Sequence, residues 1–247
     1  AVPDQALALS QKHARLDALA REMDWSLLSL VSRGDTWFRD AEVITFFDAL
    51  ADGTLLDQFD TVLFYGAGSG GHAALSYALA APFSRILAMS PLPSEGCDAT
   101  TDRYAPAAEN LAVAEHVFVP QDPAHADGTL GARNLMPLSC RHMGQKLEET
   151  LIDFGILDDV VCDAMDGVLT EAAFYRLLRA RRDNTTYLRG LVARTIDADR
   201  PLLEALSVRN IAERLGRNRY ARRFEKLREE LAERGIAVPA GRRGDRP

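Results

Sequence analysis

Residues 61–81 read TVLFYGAGSGGHAALSYALAA, and this stretch decides the fold. It begins with an apolar run, contains four glycines between Gly66 and Gly71, and continues as an alanine-rich segment that ends before Pro82. A β-strand that turns sharply into an α-helix needs small residues, because the backbone adopts strained angles and the two elements pack closely. The stretch therefore predicts a strand, a tight glycine-rich turn and a helix.

Further apolar runs on both sides of this stretch predict additional strands. One precedes it at 26–32, and others follow at 85–90, 115–120 and 134–139, alternating with helical patterns. The last run contains Pro137, which has no amide hydrogen to donate and therefore suits an edge strand. Apolar strands that alternate with helices are typical of a parallel sheet covered on both faces. We predict an α/β protein with a doubly wound, mostly parallel sheet of about five to six strands.

The second half of the chain is predicted to be helical. Beyond His142 the short apolar runs give way to longer amphipathic segments. We therefore predict an α/β core over 1–165 and a helical C-terminal extension over 166–236. The tail at 237–247 is rich in Gly, Pro and Arg, and we predict that it is disordered.

Charge is distributed unevenly along the chain. The formal net charge is −7, yet residues 200–247 contain 13 Lys or Arg against 7 Asp or Glu. Such a basic tail could bind nucleic acid or a membrane surface. Acidic residues are interleaved with the basic ones at helical pairing distance, which favours a solvated helix over a nucleic-acid site. The C-terminal helices also offer a surface for assembly of a homo-oligomer.

Composition argues against several classes of protein. No run approaches the roughly 18 apolar residues of a membrane helix, and charges occur throughout the first 25 residues in place of a signal-peptide block. We therefore predict a soluble, cytoplasmic protein without a membrane span. Cys97, Cys140 and Cys162 have no CxxC spacing, so we expect neither a disulfide framework nor a zinc site, and no other metal or cofactor.

Two predicted strands are followed by residues that could act as an acid and a base. The strand at 115–120 leads into QDPAHAD, which contains Asp122 and, as an alternative, Asp127. The strand at 134–139 leads into CRHMGQ, which contains His142. Taken singly, an aspartate before proline and a loop histidine are ordinary turn residues. Their order after the glycine-rich turn is what makes them candidates.

The turn at 65–75, YGAGSGGHAAL, resembles the nucleophile elbow of α/β-hydrolase-fold proteins. The loops that carry Asp122 and His142 resemble the acid turn and the histidine loop of the same fold, in the family's chain order. The chain is also similar to a group of bacterial hydrolase-like proteins that lack the elbow serine, through the segments TWFRD, FYGAG, RHMGQKLEE and YRLLRARRD. The similarity to the α/β-hydrolase fold extends from about residue 25 to residue 154 and implies an α/β-hydrolase-like fold.

The elbow can be aligned with the family in two registers. Aligned on the tyrosine and the paired glycines, it has Gly68 at the position of the family's nucleophile. Shifted by one residue, the stretch 67–71 matches a variant elbow with Ser69 at the tip. The predicted strand ends directly before Gly66, which favours the first register.

In the Ser69 register, the resemblance implies a catalytic triad of Ser69, Asp122 and His142. His142 would take the proton of the serine hydroxyl, and Asp122 would orient the imidazole and stabilise its cation. Backbone amides after the nucleophile and near Ser32 or Arg33 would form the oxyanion hole.

Four residues near the turn are candidates for binding a ligand: Gly68, Gly70, His72 and Arg33. His72 lies in the first turn of the predicted helix, close to any ligand at the bend. A helix N-terminus disfavours protonation of the imidazole, so a packed neutral histidine is the alternative.

Three functions are consistent with these residues. The first is a serine esterase or acyl hydrolase acting on a small molecule, and the second is an inactive hydrolase-fold protein that binds a ligand or serves as a scaffold. The third is nucleotide binding, because residues 66–71 also match GxGxxG. Glu95 argues against the third, since it lies behind two prolines and not at the tip of the next strand. The sequence leaves open whether the protein is an enzyme.

Overall fold

The chain divides into two compact units, Ala1–Leu177 and Leu178–Pro247. The first unit contains the described strands, and the second is helical. The computed structural model describes residues 16–32, 34, 36–92, 103–126 and 131–240.

A parallel sheet forms the centre of the first unit. Its four described strands are β1 (Leu63–Ala67), β2 (Arg85–Met89), β3 (His116–Gln121) and β4 (Leu135–Ser139). They are neighbours in chain order, β1-β2-β3-β4, and every pair is parallel. The predicted α/β class and parallel sheet are thereby confirmed. Pro137 lies in β4, at one edge of the described sheet, as its missing amide hydrogen requires.

The helices of the first unit precede the sheet, connect its strands and follow the last strand. Residues 16–22 are helical. The later α-helices are α1 (Ala41–Asp52), α2 (Ser69–Tyr77), α3 (Ala108–Leu111), α4 (Leu147–Asp153), α5 (Leu157–Met165) and α6 (Glu171–Leu177). Short 3-10 helices occur at Leu56–Gln58, Ala78–Ala80 and Pro123–His125.

Helices cover both faces of the sheet. Phe64 of β1 and Ile86 of β2 are paired in register, and Ala74 of α2 packs in the same apolar cluster. Side chains alternate between faces along a strand, so Tyr65 points to the opposite face. There its hydroxyl donates a hydrogen bond to Glu148 of α4. Burial on both sides explains why the strands read as nearly continuous apolar runs.

The prediction of a strand at 26–32 is wrong, and the described residues form four strands where about five to six were expected. This segment has no regular secondary structure, and its apolar side chains are exposed, including Leu28 at 60% and Val31 at 58%. A strand persists only where a neighbour pairs with its backbone N–H and C=O groups. Apolar composition alone cannot reveal whether such a neighbour exists.

The first compact unit extends beyond the predicted core boundary at residue 165, as far as Leu177. It includes α6, because the Ser139 amide at the end of β4 donates a hydrogen bond to the Tyr175 hydroxyl at 2.9 Å.

The second unit consists of helices packed through their apolar faces. A 3-10 helix at Leu178–Arg182 is followed by α7 (Thr185–Asp197), α8 (Pro201–Leu215) and α9 (Asn218–Glu233). Its core contains Ala205, Val208, Leu227 and Leu231. Of the predicted tail, Val238 packs against this core, and residues 241–247 lie outside the described residues. None of the described helices is long and apolar enough to cross a bilayer.

Steric contacts explain why two positions of the turn between β1 and α2 are occupied by glycine. A Cβ atom on Gly66 would lie 2.1 Å from the carbonyl oxygen of Gly70, which is backbone and cannot move aside. A Cβ atom on Gly71 would lie 3.2 Å from the carbonyl oxygens of Gly66 and Met89. Gly70 differs, since no atom lies within 4 Å of the corresponding position. The turn therefore requires glycine where α2 crosses β1, and tolerates a side chain at residue 70.

We expect Gly66→Ala to destabilise the protein by at least about 3 kcal/mol, because the methyl group would overlap the backbone. The matched variant Gly70→Ala should be neutral or more stable by about 0.5 kcal/mol, since alanine reduces the entropy of the unfolded chain. Urea unfolding followed by circular dichroism measures both. Equal stability of the two variants would contradict this account of the turn.

Candidate functional site

Gly68 forms the tip of the bend between β1 and α2. Its backbone adopts φ 59° and ψ −123°, a region that side chains strongly disfavour, and Ser69 already begins α2. The Gly68 amide donates a hydrogen bond to the Met89 carbonyl at 3.0 Å, and its own carbonyl accepts from the amides of His72 and Leu92. Gly68, and not Ser69, therefore holds the conformation that would be strained for any residue with a side chain.

The bend leaves room for a side-chain atom at Gly68. A Cβ atom on Gly68 would contact Leu92 Cδ1 at 3.7 Å, an ordinary van der Waals distance. The first amides of an α-helix, here those of Ser69 and Gly70, lack carbonyl partners within the helix. Such amides attract the oxygen atoms of anions and carbonyl groups. The bend can therefore receive an acceptor oxygen from a ligand.

Backbone hydrogen bonds bring the loops after the strands together at one edge of the sheet. The Ser90 amide donates to the Pro120 carbonyl, and the Cys140 amide donates to the Gln121 carbonyl, each at 2.8 Å. These contacts continue the pairing of β2 with β3 and of β3 with β4 past the ends of the strands. The bend, the Asp122 loop and the His142 loop therefore lie along the same carboxyl edge.

Asp122 holds the loop that carries His142. Its carboxylate is 4% exposed and accepts hydrogen bonds from the amides of Ala124 at 3.1 Å and Gly144 at 2.8 Å. Burial by itself raises the pKa of Asp122, but the hydrogen bonds from Gly144 and Ala124 favour the anion, and the net pKa is lowered. Asp122 is therefore a buried carboxylate bound to backbone amides.

The imidazole of His142 does not contact Asp122 through a hydrogen bond. His142 is exposed and has φ 66°, an unusual value for a residue with a side chain. Within the described part of the chain, no group forms a hydrogen bond or ion pair with its ring. The fold thus brings the Asp122 carboxylate to the backbone of this loop, and the ring that would complete a triad faces solvent.

His72 is buried beside the bend. It is 6% exposed, its Nε2 atom has no hydrogen-bond partner among the described residues, and the edge of Trp37 packs against its ring with centroids 6.1 Å apart. Burial is the main cause that lowers the pKa of His72, and the positive charge of Arg39 lowers it further. The imidazole is therefore neutral near pH 7.

Arg39 is a neighbour of this site that sequence reasoning missed. It lies 33 residues before His72 in the chain, so no local pattern connects them. Of the other sequence-predicted residues, Ser32 bonds to Gly34 and Thr36 in its own loop, whereas Arg33 and Asp127 lie outside the described residues.

The described residues contain no group of three or more His, Cys, Asp or Glu side chains arranged to hold a metal ion. Cys140 and Cys162 form no disulfide among the described residues, and Cys97 lies outside them.

Comparisons with known proteins do not identify a family for this chain. No protein-family model matches it, and searches of curated proteins and of solved structures found no significant similarity.

We expect Asp122→Asn to destabilise the fold by about 2 kcal/mol at pH 7, because an amide cannot accept both backbone hydrogen bonds. The lowered pKa of Asp122 also makes the stability of the fold depend on pH in the acid range. The contribution of the Asp122 carboxylate is complete above its ordinary pKa of 3.8 and is lost as the pH falls through the lower folded-state value. The variant lacks this contribution, so its unfolding free energy should fall less steeply with pH in that range.

Urea unfolding of both proteins at pH 7 and across the acid range measures this effect. Asp57→Asn, at an exposed position, is the control and should match the wild type. If Asp122→Asn is as stable as the wild type, the carboxylate does not anchor the loop that carries His142.

Proposed function

We propose that this chain is an α/β-hydrolase-like protein that binds a small acyl or ester-like ligand at the carboxyl edge of its sheet without hydrolysing it. The observation that carries the proposal is the positive φ of Gly68 at the tip of the bend, a backbone conformation that is strained for residues with a side chain. In the hydrolase fold this conformation belongs to the nucleophile, which the sharp strand-to-helix turn exposes above the sheet. Glycine has no side chain with which to attack an acyl carbon.

The arrangement of loops supports the hydrolase-like part of the proposal. The bend follows β1, Asp122 follows β3 and His142 follows β4, and these strands lie side by side in a parallel sheet. This is the order of nucleophile, acid and histidine in α/β-hydrolases. In this proposal the four described strands form one side of a larger, doubly wound sheet. The cytoplasmic location and the homo-oligomerisation that the sequence predicts stay predictions.

Three further features support the absence of catalysis. Between Gly66 and Gly71 the only hydroxyl belongs to Ser69, which is one residue after Gly68 and already within α2. The Asp122 carboxylate accepts its hydrogen bonds from the amides of Ala124 and Gly144. The His142 imidazole consequently lacks the carboxylate that would fix its tautomer and orientation, which a general base in such a triad needs.

Nucleotide binding is a second candidate, favoured by the packing of the glycines. Gly66 allows the tight turn and Gly71 allows close contact between helix and strand, which are the roles of the first and last glycines in a dinucleotide-binding loop. The strand order argues against nucleotide binding. In doubly wound sheets, nucleotides bind where the order of the strands reverses, and the described order β1-β2-β3-β4 shows no reversal beside β1. Glu95, the acid weighed for ribose binding, lies outside the described residues.

Reaction with a fluorophosphonate probe tests whether Ser69 is a nucleophile. We expect no adduct on the wild type by intact-mass spectrometry, and the same result for Ser69→Ala. An adduct on Ser69 that disappears in Ser69→Ala would overturn the proposal and identify a serine hydrolase.

Restoring a hydroxyl at the tip provides a matched pair of variants for the same probe. Gly68→Ser has room for its side chain at a strain cost of about 1–3 kcal/mol, and Gly70→Ser has room without a positive φ. We expect slow adduct formation at position 68 and none at position 70, because only residue 68 projects from the tip. Equal reactivity of the two variants would contradict the assignment of the tip.

Thermal shifts distinguish an acyl ligand from a nucleotide. A short-chain carboxylate at ten times its Kd should stabilise the protein by about 1.4 kcal/mol, which raises Tm by roughly 3–5 °C. ATP and NAD should leave Tm unchanged. A shift with a nucleotide alone would replace the proposed function with the second candidate.

A further inference from the structure

One end of the helical second unit contains the start of α7, the end of α8 and the start of α9. Short connections join α7 to α8 and α8 to α9, so consecutive helices run antiparallel. Arg214 Nη2, at the end of α8, lies 3.3 Å from Asp183 Oδ1, just before α7. Arg189 of α7 contacts the hydroxyl of Tyr220 of α9. These contacts hold the three helix ends side by side.

This end of the unit is rich in arginine. Residues 178–247 contain 18 Lys or Arg against 10 Asp or Glu. The stretch 214–223, which ends α8 and begins α9, contains five arginines and no acidic residue. The 3-10 helix Leu178–Arg182 adds three more arginines next to Asp183. Positive charge is therefore concentrated where α8 turns into α9.

Four arginines at this end form no ion pair with a described carboxylate, and all four are exposed. We call them the basic-end arginines: Arg189, Arg217, Arg219 and Arg222. The described ion pairs of the second unit involve other cations, namely Arg209, Arg214, Arg223, Lys226 and Arg228. The pairing along the helix that the sequence predicts is thus present at 225–230 and, among the described residues, absent at the start of α9.

The hydroxyl of Tyr220 lies between two of the basic-end arginines. Arg219 Nη2 donates a hydrogen bond to it at 2.7 Å, and the guanidinium of Arg189 interacts with the same oxygen from the neighbouring helix. Burial raises the pKa of Tyr220, but the hydrogen bonds and charges of Arg219 and Arg189 favour the anion, and the net pKa is lowered. The hydroxyl hydrogen has no acceptor among the described residues. Three donors therefore converge at a place that already stabilises negative charge on oxygen.

The distribution of these groups favours a ligand with several phosphates in succession. The planar guanidinium matches the geometry of phosphate oxygens, and arginine is the residue that nucleic-acid sites use most in this way. One phosphate occupies the place beside Tyr220, whereas the basic-end arginines lie on two helices. A membrane surface would also require apolar side chains that insert into it. The large exposed apolar residues of the described second unit, Ile196 and Leu203, lie at the opposite end.

We infer that the basic-end arginines and Tyr220 bind successive phosphates of a nucleic-acid backbone, with Arg189, Arg219 and the Tyr220 hydroxyl donating hydrogen bonds to one of them. This inference concerns the second unit and does not depend on the function proposed for the first. Contacts to the backbone carry no information about the bases, so binding should be independent of nucleotide sequence. It should also weaken steeply as salt is added, because each bound phosphate releases counterions.

Fluorescence anisotropy of the full chain with labelled oligonucleotides tests the inference. The probes are an oligouridine and a DNA duplex, each of about 20 nucleotides per strand, which is longer than one site of this size requires. We expect at least one of them to bind with a Kd below about 100 μM at physiological salt. The probe that binds more tightly shows whether a single strand or a duplex supplies the phosphates.

Two double variants with the same change in net charge locate the site. Arg189→Gln combined with Arg219→Gln removes both guanidinium groups beside Tyr220. Arg194→Gln combined with Arg234→Gln removes two exposed arginines from the opposite end of the unit and is the control. The first should raise Kd at least about fivefold and lower the slope of log K against log salt by about 1.4–1.8, since each lost contact removes about 0.7–0.9. The control should change Kd by less than about twofold, because its arginines contact no phosphate.

The ring of Tyr220 provides a second readout on the wild-type protein. In ¹³C spectra of tyrosine-labelled chain, its signals are assigned by their absence from Tyr220→Phe. They should move when the oligonucleotide is added, since a phosphate would bind against the hydroxyl. This measurement decides the inference if circular dichroism shows that the Arg189 and Arg219 double variant does not fold.

Three results would overturn the inference. The first is an absence of binding to both oligonucleotides, and the second is an equal loss of affinity in the two double variants, which would indicate attraction by net charge alone. The third is a Tyr220 signal that does not move. Phosphatidylserine vesicles are tested in parallel, and binding to them without binding to either oligonucleotide would indicate a membrane surface instead. Loss of oligonucleotide affinity confined to the Arg189 and Arg219 variant, with a moving Tyr220 signal, supports the inference.

Discussion

The first unit depends on the close approach of two backbone segments where β1 turns into α2. A side chain on Gly66 would overlap the backbone of Gly70, and Gly71 packs on the backbone of Gly66 and Met89. This approach sets the position of α2 on the sheet, which buries Ala74 and Leu75 against the neighbouring strands. It also turns the first amides of α2 toward the carboxyl edge, where the chain can present them to a ligand.

The same edge is held together by backbone hydrogen bonds that continue past the strands. Ser90 bonds to Pro120 and Cys140 bonds to Gln121, so the loops after β2, β3 and β4 keep the order of the sheet. Asp122 extends this pairing by accepting from the Gly144 amide. A carboxylate that a catalytic triad would direct at an imidazole here stabilises a loop, and its lowered pKa reflects those amide contacts against the opposing effect of burial. The position of an acid in the hydrolase order does not by itself give it the acid's catalytic role.

His72 shows a different balance between stability and function. Its burial and the nearby charge of Arg39 keep the ring neutral, and its Nε2 atom has no partner in the described chain. The surrounding contacts with Trp37 and Leu92 keep the ring in this position. A buried polar atom without a partner lowers the stability of a fold. The bend therefore combines a fixed backbone turn, the first amides of α2 and a buried imidazole.

The sequence by itself determined the α/β class, the strand-turn-helix at 61–81, the edge position of Pro137 and the helical C-terminal part, because these depend on local patterns of apolar residues, glycine and proline. It could not determine whether Gly68 or Ser69 occupies the tip of the bend, since the residues fit both registers and only the backbone angles distinguish them. Tertiary structure also left 26–32 unpaired, brought Arg39 near His72 and directed Asp122 to backbone amides. These outcomes depend on which distant segments meet, and contacts between distant segments carry no signal in the local order of residues.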